Sequence, residues 1–232
     1  ISNVVDVTNL LLLEFGQPMH AFDYDLVAEG QIVVRSAKPG EPFTTLDGVA
    51  RTLDADDLVI CDAKAPRALA GVMGGQTSEI RATTRRVLLE CAYFQPRGIR
   101  RTSRRHALST ESSYRFERGV DWEAVPLVLE RGKALLAELA GGAAVPASLL
   151  VRGATLSKPK MRLRSQRLDA LLGTHVPFDE ATRSLERLGL TIESVRDDGE
   201  GPVAEVEGAS FRPDLTREVD LATTPLYVRA GG

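Results

Sequence analysis

The sequence predicts an α+β fold in two parts: an antiparallel or mixed sheet or barrel with flanking helices, then a small helix-helix-hairpin module. Three observations predict it. Strand signals follow one another from residue 31 to residue 94. Helical patterns stand on either side of them, at 3–15 and 124–139. The polar, proline-bearing stretch RGATLSKPK at 152–160 separates all of this from a second, shorter set of elements. A chain of 232 residues can bury two modest cores. The expected parts are residues 1–155 and 160–221, with 222–232 as a tail.

Taken in order, NVVDVTNLLLLEF (3–15) is apolar on more than one face and stops at Gly16, which suits a mostly buried helix with a glycine C-cap. Pro18 prevents its continuation. QIVVRSA (31–37) is the first strand signal. PFTTL (42–46) and ARTL (50–53) flank Asp47-Gly48, a strong hairpin signal. LVICD (58–62), ALAGVMGG (68–75) and RVLLECAYF (86–94) are nearly unbroken apolar runs, read as central strands covered on both faces. Asp121 and Trp122 precede a helical pattern from Ala124 to Leu139, ended by Gly141-Gly142. In the second part MRLR reads as a strand. SQRLDALLG and FDEATRSLERLG read as helices with Ser165 and Asp179 as N-caps, on either side of a loop at Val176-Pro177. LTIESVR and PVAEVEG flank a turn at Asp198-Gly199.

Composition removes some function classes. With 43% hydrophobic and 26% charged residues the chain is an ordinary globular one. No apolar run approaches the ~20 residues of a membrane span, so a transmembrane role is excluded. The chain opens at Ile1 without a methionine or a basic-then-apolar leader, and reads as an excised piece of a longer protein. Cys61 and Cys91 each lie in an apolar run, which suits buried reduced thiols and a cytoplasmic location better than a disulfide or zinc site. The net charge of −3 hides an asymmetry: from Arg81 to Arg118 there are ten arginines against three acids. Such a stripe fits a polyanion partner or a solvated basic surface.

Four clusters could carry chemistry. Thr8, Asn9 and His20 bring a hydroxyl, an amide and an imidazole near one helix end, able to orient a water and a carbonyl or ribose hydroxyl. Alternatively Thr8 and Asn9 satisfy local backbone groups and His20 packs against Phe22. AGVMGG (70–75) would let backbone approach a ligand at Gly74-Gly75, or is a bulge or tight turn. Glu90 is a carboxylate inside an apolar strand, and alternation places it on the face of Leu88 and Ala92, favouring a cavity over open solvent. Finally, Arg97, Arg100, Arg101, Arg104 and Arg105 would form two adjacent rows on a helix, suited to phosphate oxygens but carrying no base specificity, or simply a solvated face.

ISNVVDVTNLLLLEFGQPMHAFD, LAGVMGG, VLLECAYF and RRTSRRHALSTESSYRFERGVD closely resemble the beta subunits of bacterial phenylalanyl-tRNA synthetases, in the same order and at similar spacing, and the likeness runs on to FRPDLTREVDL. The resemblance implies that residues 1 to about 155 form most of an editing module for mischarged tyrosyl-tRNA(Phe), and that 160–221 form the small module after it. It implies that Glu90 reads the tyrosyl hydroxyl and that Thr8, Asn9 and His20 line the pocket near the ester and terminal ribose. Gly74 and Thr110 match substrate-abutting positions. Ser112 stands where the family usually has alanine, making the wall slightly smaller and more polar. It implies partners, namely tRNA(Phe) and an alpha subunit in a heterotetramer of two alpha and two beta chains. It implies too that editing needs no cofactor, whereas ATP and magnesium serve the full enzyme, whose aminoacylation site would lie in the alpha subunit. Asp214 and Asp220 match acids associated with magnesium, but Thr223 and Thr224 replace their two partner glutamates, so two of four hard oxygen donors lose their charge.

Overall fold

The computed structural model describes residues 2–77, 79–146 and 148–230, the side chains of 225–230 excepted. The chain divides into two units, Ile1–Leu150 and Val151–Gly232.

The first unit opens with helix α1 (Asn3–Phe15), capped by the Ser2 side chain and ended by Gly16 at φ 67°. It buries only Val4, Val7 and Leu11, while Leu10 and Leu13 are exposed. The helix is therefore not mostly buried. It presents one stripe at helical spacing, and its second apolar face points outward. Strand β1 (Met19–Asp23) follows, in a stretch without a strand signal of its own. Then come β2 (Val33–Ser36), the hairpin β3 (Pro42–Thr44) and β4 (Ala50–Thr52), β5 (Leu58–Cys61), β6 (Pro66–Leu69), β7 (Met73–Gly74) and β8 (Val87–Cys91). Three helices complete the unit: α2 (Pro96–Arg105), α3 (Glu111–Phe116) and α4 (Val125–Ala140).

All strand pairings are antiparallel among the described residues: a sheet in the order β2-β5-β6-β7, the hairpin β3-β4, and a two-stranded ribbon β1-β8. Of the three expected central strands, β5 is central, with Val59, Ile60 and Cys61 at 0–2% exposure. The run 68–75 is not one strand. Gly71, at φ 66°, turns the chain between β6 and β7, and a Cβ there would lie 2.9 Å from Phe94 and 3.0 Å from Phe116. β8 pairs with β1 alone, yet both faces of the ribbon are covered. Met19 and Cys91 pack with Val7, Leu11 and Val128 of the α1–α4 layer, whereas Phe22 and Leu88 belong to the core shared with the four-stranded sheet. Gly132 lets α4 approach closely, since a Cβ there would sit 3.0 Å from Leu89 and 3.1 Å from Leu11.

The second unit consists of β9 (Lys160–Arg164), α5 (Ser165–Leu172), α6 (Phe178–Arg187), β10 (Thr191–Asp197), β11 (Pro202–Glu207) and α7 (Glu218–Ala230), with strand order β10-β11-β9. Ser165 and Asp179 are not N-caps. Those positions are Arg164 and Pro177, without side-chain cap bonds. Glu218 holds Arg164 through its backbone N–H (3.0 Å) and its guanidinium, so the strand stays extended to that residue; Pro177 starts α6, leaving Asp179 in the first turn, where its charge suits the helix dipole. α7 carries Leu221 and Ala222 into the core at 0% exposure, with Thr224 at 6%, so residues 222–224 belong to the fold of this unit.

Candidate functional site

The site is built on the ribbon. The register Met19↔Cys91 through Asp23↔Val87 sets His20 directly opposite Glu90. Cross-strand partners point to the same face, which is the face of Phe22 and Leu88, turned toward the core and away from α1 and α4. His20 packs edge-on against Phe22 with ring centroids 4.4 Å apart. β7 passes alongside: a Cβ on Gly74 would lie 2.8 Å from Cε1 of His20, so only glycine permits this approach. The imidazole is thus held between an aromatic ring and bare backbone.

Its polar atoms are not satisfied. Both His20 and Glu90 are half-buried residues, yet Nε2 of His20 and Oε1 of Glu90 are buried without a hydrogen-bond partner. An unmet buried polar group costs roughly 1–3 kcal/mol. Desolvation lowers the His20 pKa to about 4 and lifts that of Glu90 to about 7. Near neutral pH the imidazole is therefore uncharged, and Glu90 lies close to its own midpoint. An uncharged imidazole and a carboxyl without a cation form a wall that can receive a neutral hydroxyl-bearing ligand.

Thr110 braces this wall. It caps α3, accepting from the Ser113 N–H at 3.0 Å, and its hydroxyl donates to the Val72 carbonyl at 2.8 Å, in the turn that leads into β7. Ser112, half-buried, lies in the first turn of α3. Thr8 and Asn9 are placed differently. The Thr8 hydroxyl donates to the Val5 carbonyl (2.8 Å) within its own helix and Asn9 is exposed, and no hydrogen bond joins either to His20 or Glu90 among the described residues. Cys61 is buried and Cys91 half-buried, both free thiols.

The arginine helix α2 is partly committed to the fold. Arg105 donates to Asp57 at 2.7 Å and lies 3.6 Å from Asp54; Arg101 lies 3.6 Å from Asp56, and Arg100 donates to the Glu117 carbonyl at 3.3 Å. Arg104 is exposed. Gln95, Arg97, Arg100 and Arg101 line one shallow depression. Sequence reasoning passed over its anchor. Asp57, with a fully buried side chain, accepts from Arg105, Thr102 (2.9 Å), His106 (2.7 Å) and the Asp54 N–H (2.9 Å). It also passed over Gln17, 2% exposed, whose amide bonds the Pro18 and Ala92 carbonyls. The signal for Gln17 was its place before Pro18.

In the second unit Asp214 pairs with Arg212 at 2.7 Å, and Asp220 accepts from the N–H groups of Thr216 and Arg217. Thr223 and Thr224 spend their hydroxyls on carbonyls of their own helix. Among the described residues no group of three or more His, Cys, Asp or Glu could hold a metal ion. This donor set does not fit magnesium, since its acids are engaged by arginine and backbone and its hydroxyls are neutral.

Comparison with known proteins agrees with this division. The family model "B3/4 domain" matches residues 1–141, and "tRNA synthetase B5 domain" matches 161–223. Over 95% of its length the chain is similar to phenylalanine–tRNA ligase beta subunits, with 50% identity to those of Geobacter sulfurreducens and Anaeromyxobacter dehalogenans and 46% to that of Syntrophotalea carbinolica. It spans 27% of the length of each of these relatives. The chain belongs to the B3/4 domain family, carries a match to the B5 domain after it and, as its motifs indicated, is similar to phenylalanine–tRNA ligase beta subunits over the part of their length that it spans.

Proposed function

We propose that the first unit edits, hydrolysing the ester of tyrosyl-tRNA(Phe) with a positioned water as nucleophile. The need for it is physical. A pocket shaped for phenylalanine rejects tyrosine poorly, because a hydrophobic site cannot strongly exclude a near-isostere that adds one hydroxyl. A second site does better by demanding that hydroxyl. One observation supports the reading above all: Oε1 of Glu90 is buried and unmet, opposite His20 on the face that Gly74 approaches. A tyrosyl hydroxyl would satisfy it, whereas phenylalanine would leave it orphaned at roughly 1–3 kcal/mol.

His20 acts as an orienting group. A base whose pKa is lowered to about 4 takes a proton from water poorly, but a neutral imidazole still donates and accepts hydrogen bonds. Thr110 steadies the turn at Val72 that leads into Gly74, and Ser112 adds a hydroxyl at the start of α3. The ester-side role that the resemblance gives Thr8 and Asn9 draws no support from the geometry, since α1 packs on the opposite face of the ribbon and the Thr8 hydroxyl bonds within its own helix. The exposed arginines of α2, Arg100 and Arg104 foremost, hold tRNA phosphates without reading sequence, with Arg101 and Arg105 secondary because the Asp54–Asp57 loop engages them. In the whole cytoplasmic enzyme an alpha subunit carries aminoacylation with ATP and magnesium. A second reading, a tRNA-holding or scaffold module without turnover, is favoured by the arginine-lined depression at the start of α2.

Mischarged-tRNA deacylation by the complete enzyme separates the two. Editing predicts turnover of the tyrosyl ester well above that of the phenylalanyl ester, slowed about tenfold or more by His20→Ala with little change in tRNA affinity. Binding of tRNA without turnover would establish the scaffold instead.

A further inference from the structure

The ribbon lacks one ladder pair at the end where His20 and Glu90 sit. Tyr24 N–H donates to the Arg86 carbonyl at 2.9 Å, and in an antiparallel ladder the bonded pairs recur at every second residue. With the observed register, the bonded pairs are then Phe22 with Leu88 and His20 with Glu90. One more step sets Pro18 opposite Ala92. Proline has no N–H, so it cannot donate to the Ala92 carbonyl.

The Gln17 side chain stands in for the missing donor. Its Nε2 donates to the Ala92 carbonyl at 2.9 Å and to the Pro18 carbonyl at 3.0 Å, the two carbonyls of the failed pair. Two carbonyl acceptors fix which end of the amide is nitrogen. The remaining Oε1 is buried without a partner, and with His20 Nε2 and Glu90 Oε1 it completes the set of such side-chain atoms among the described residues. All three belong to one end of one ribbon. Buried polar atoms left unmet at one ribbon end mark a place that the surrounding fold tolerates at a cost.

We propose that Gln17 is a positioning residue for the His20–Glu90 pair: its amide closes the ribbon end that Pro18 leaves open and so fixes the spacing of imidazole and carboxyl across the pocket. The inference rests on the editing reading. Without the amide, two buried carbonyls lose their donor and the strands part beside the first bonded pair that matters, His20 with Glu90. The loss falls on discrimination and turnover rather than on tRNA binding.

The test uses the full-length beta subunit assembled with its alpha partner. Gln17→Met keeps the length and removes the donor; Pro18→Ala returns a backbone N–H that can donate to the Ala92 carbonyl. The readout is the ratio of kcat/KM for the tyrosyl ester over the phenylalanyl ester. Gln17→Met is expected to lower that ratio about tenfold at unchanged tRNA affinity, and adding Pro18→Ala to recover at least half of the loss on a logarithmic scale. An unchanged ratio in Gln17→Met, or no recovery in the double variant, overturns the inference. Should Gln17→Met fail to assemble, the double variant decides: assembly with a near wild-type ratio supports the inference, and any other result overturns it. Glu90→Ala runs in parallel. If it leaves the ratio unchanged, the editing reading itself falls; if it abolishes discrimination while Gln17→Met does not, only the role of Gln17 falls.

Discussion

The first unit holds two pairs of a histidine and an acid, and they are treated in opposite ways. Asp57 and His106 meet at 2.7 Å, and Asp57 also accepts from Thr102, Arg105 and the Asp54 N–H. Burial alone would push the Asp57 carboxyl upward, yet these bonds hold it below the usual carboxylate range. His20 and Glu90 face each other across the ribbon with inner atoms unmet, and burial carries both away from their charged forms. A histidine and a carboxylic acid make a strut in one place and stand with buried atoms unpartnered in the other. What decides is whether the chain itself supplies the partners.

The largest effect that tests this contrast is on stability. Asp57→Ala leaves Arg105, His106 and Thr102 without their common acceptor and is expected to cost about 3–5 kcal/mol in urea denaturation at pH 7. Glu90→Gln under the same conditions is expected to be neutral or stabilising. Equal losses from both substitutions would dissolve the distinction.

Next comes pH. The Glu90 pKa is raised to about 7 from 4.5, so its contribution is fully present below pH 4.5 and is lost as pH rises through 7. The His20 pKa is depressed to about 4 from 6.5, so its contribution is present above pH 6.5 and lost as pH falls through 4. Wild type should therefore lose up to about 3 kcal/mol relative to Glu90→Gln between pH 4 and pH 8. Parallel stability curves for the two proteins over that range would show an ordinary, solvated Glu90.

Smaller again is Gly74→Ala. Its methyl would fall 2.8 Å from the His20 ring, which must move at a cost of about 1–3 kcal/mol. Hydrolysis should slow while tRNA affinity holds. Wild-type turnover in this variant would show that the imidazole position is unimportant. The smallest expected change concerns the arginines. Arg104→Ala should reduce the slope of log affinity against log salt by about 1, whereas Arg105→Ala should act chiefly on stability. The reverse pattern would move the phosphate contacts to the Asp57 side of α2.

Much of the fold was legible because its signals are local. α1 and its glycine cap, the Asp47-Gly48 hairpin and α4 follow from spacing and turn chemistry alone. What was not legible depends on tertiary pairing. β1 is five residues after a proline, strand-like only because β8 lies beside it. The break at Gly71 hides in an apolar run, and it is set by Phe94 and Phe116 packing over the turn. Ser165 looks like a cap until Glu218, distant in sequence, claims the residue before it. At the site, period-two alternation placed Glu90 on an inner face, but no pattern in the sequence pairs it with His20. That pairing needs the register. Gln17 becomes intelligible only after the register shows what Pro18 fails to donate. Asp57 sits in an acidic loop, Asp54-Ala55-Asp56-Asp57, that reads as solvated until α2 covers its last member.

In the proposed editing role Glu90 stays unmet in an apolar wall so that a substrate hydroxyl can complete it. The most direct measurement is deacylation of tyrosyl- and phenylalanyl-tRNA(Phe) by the complete enzyme carrying Glu90→Ala. Discrimination between the two esters is expected to fall by about tenfold or more, since an unmet buried acceptor is worth roughly 1–3 kcal/mol. Unchanged discrimination in a folded Glu90→Ala enzyme would contradict it.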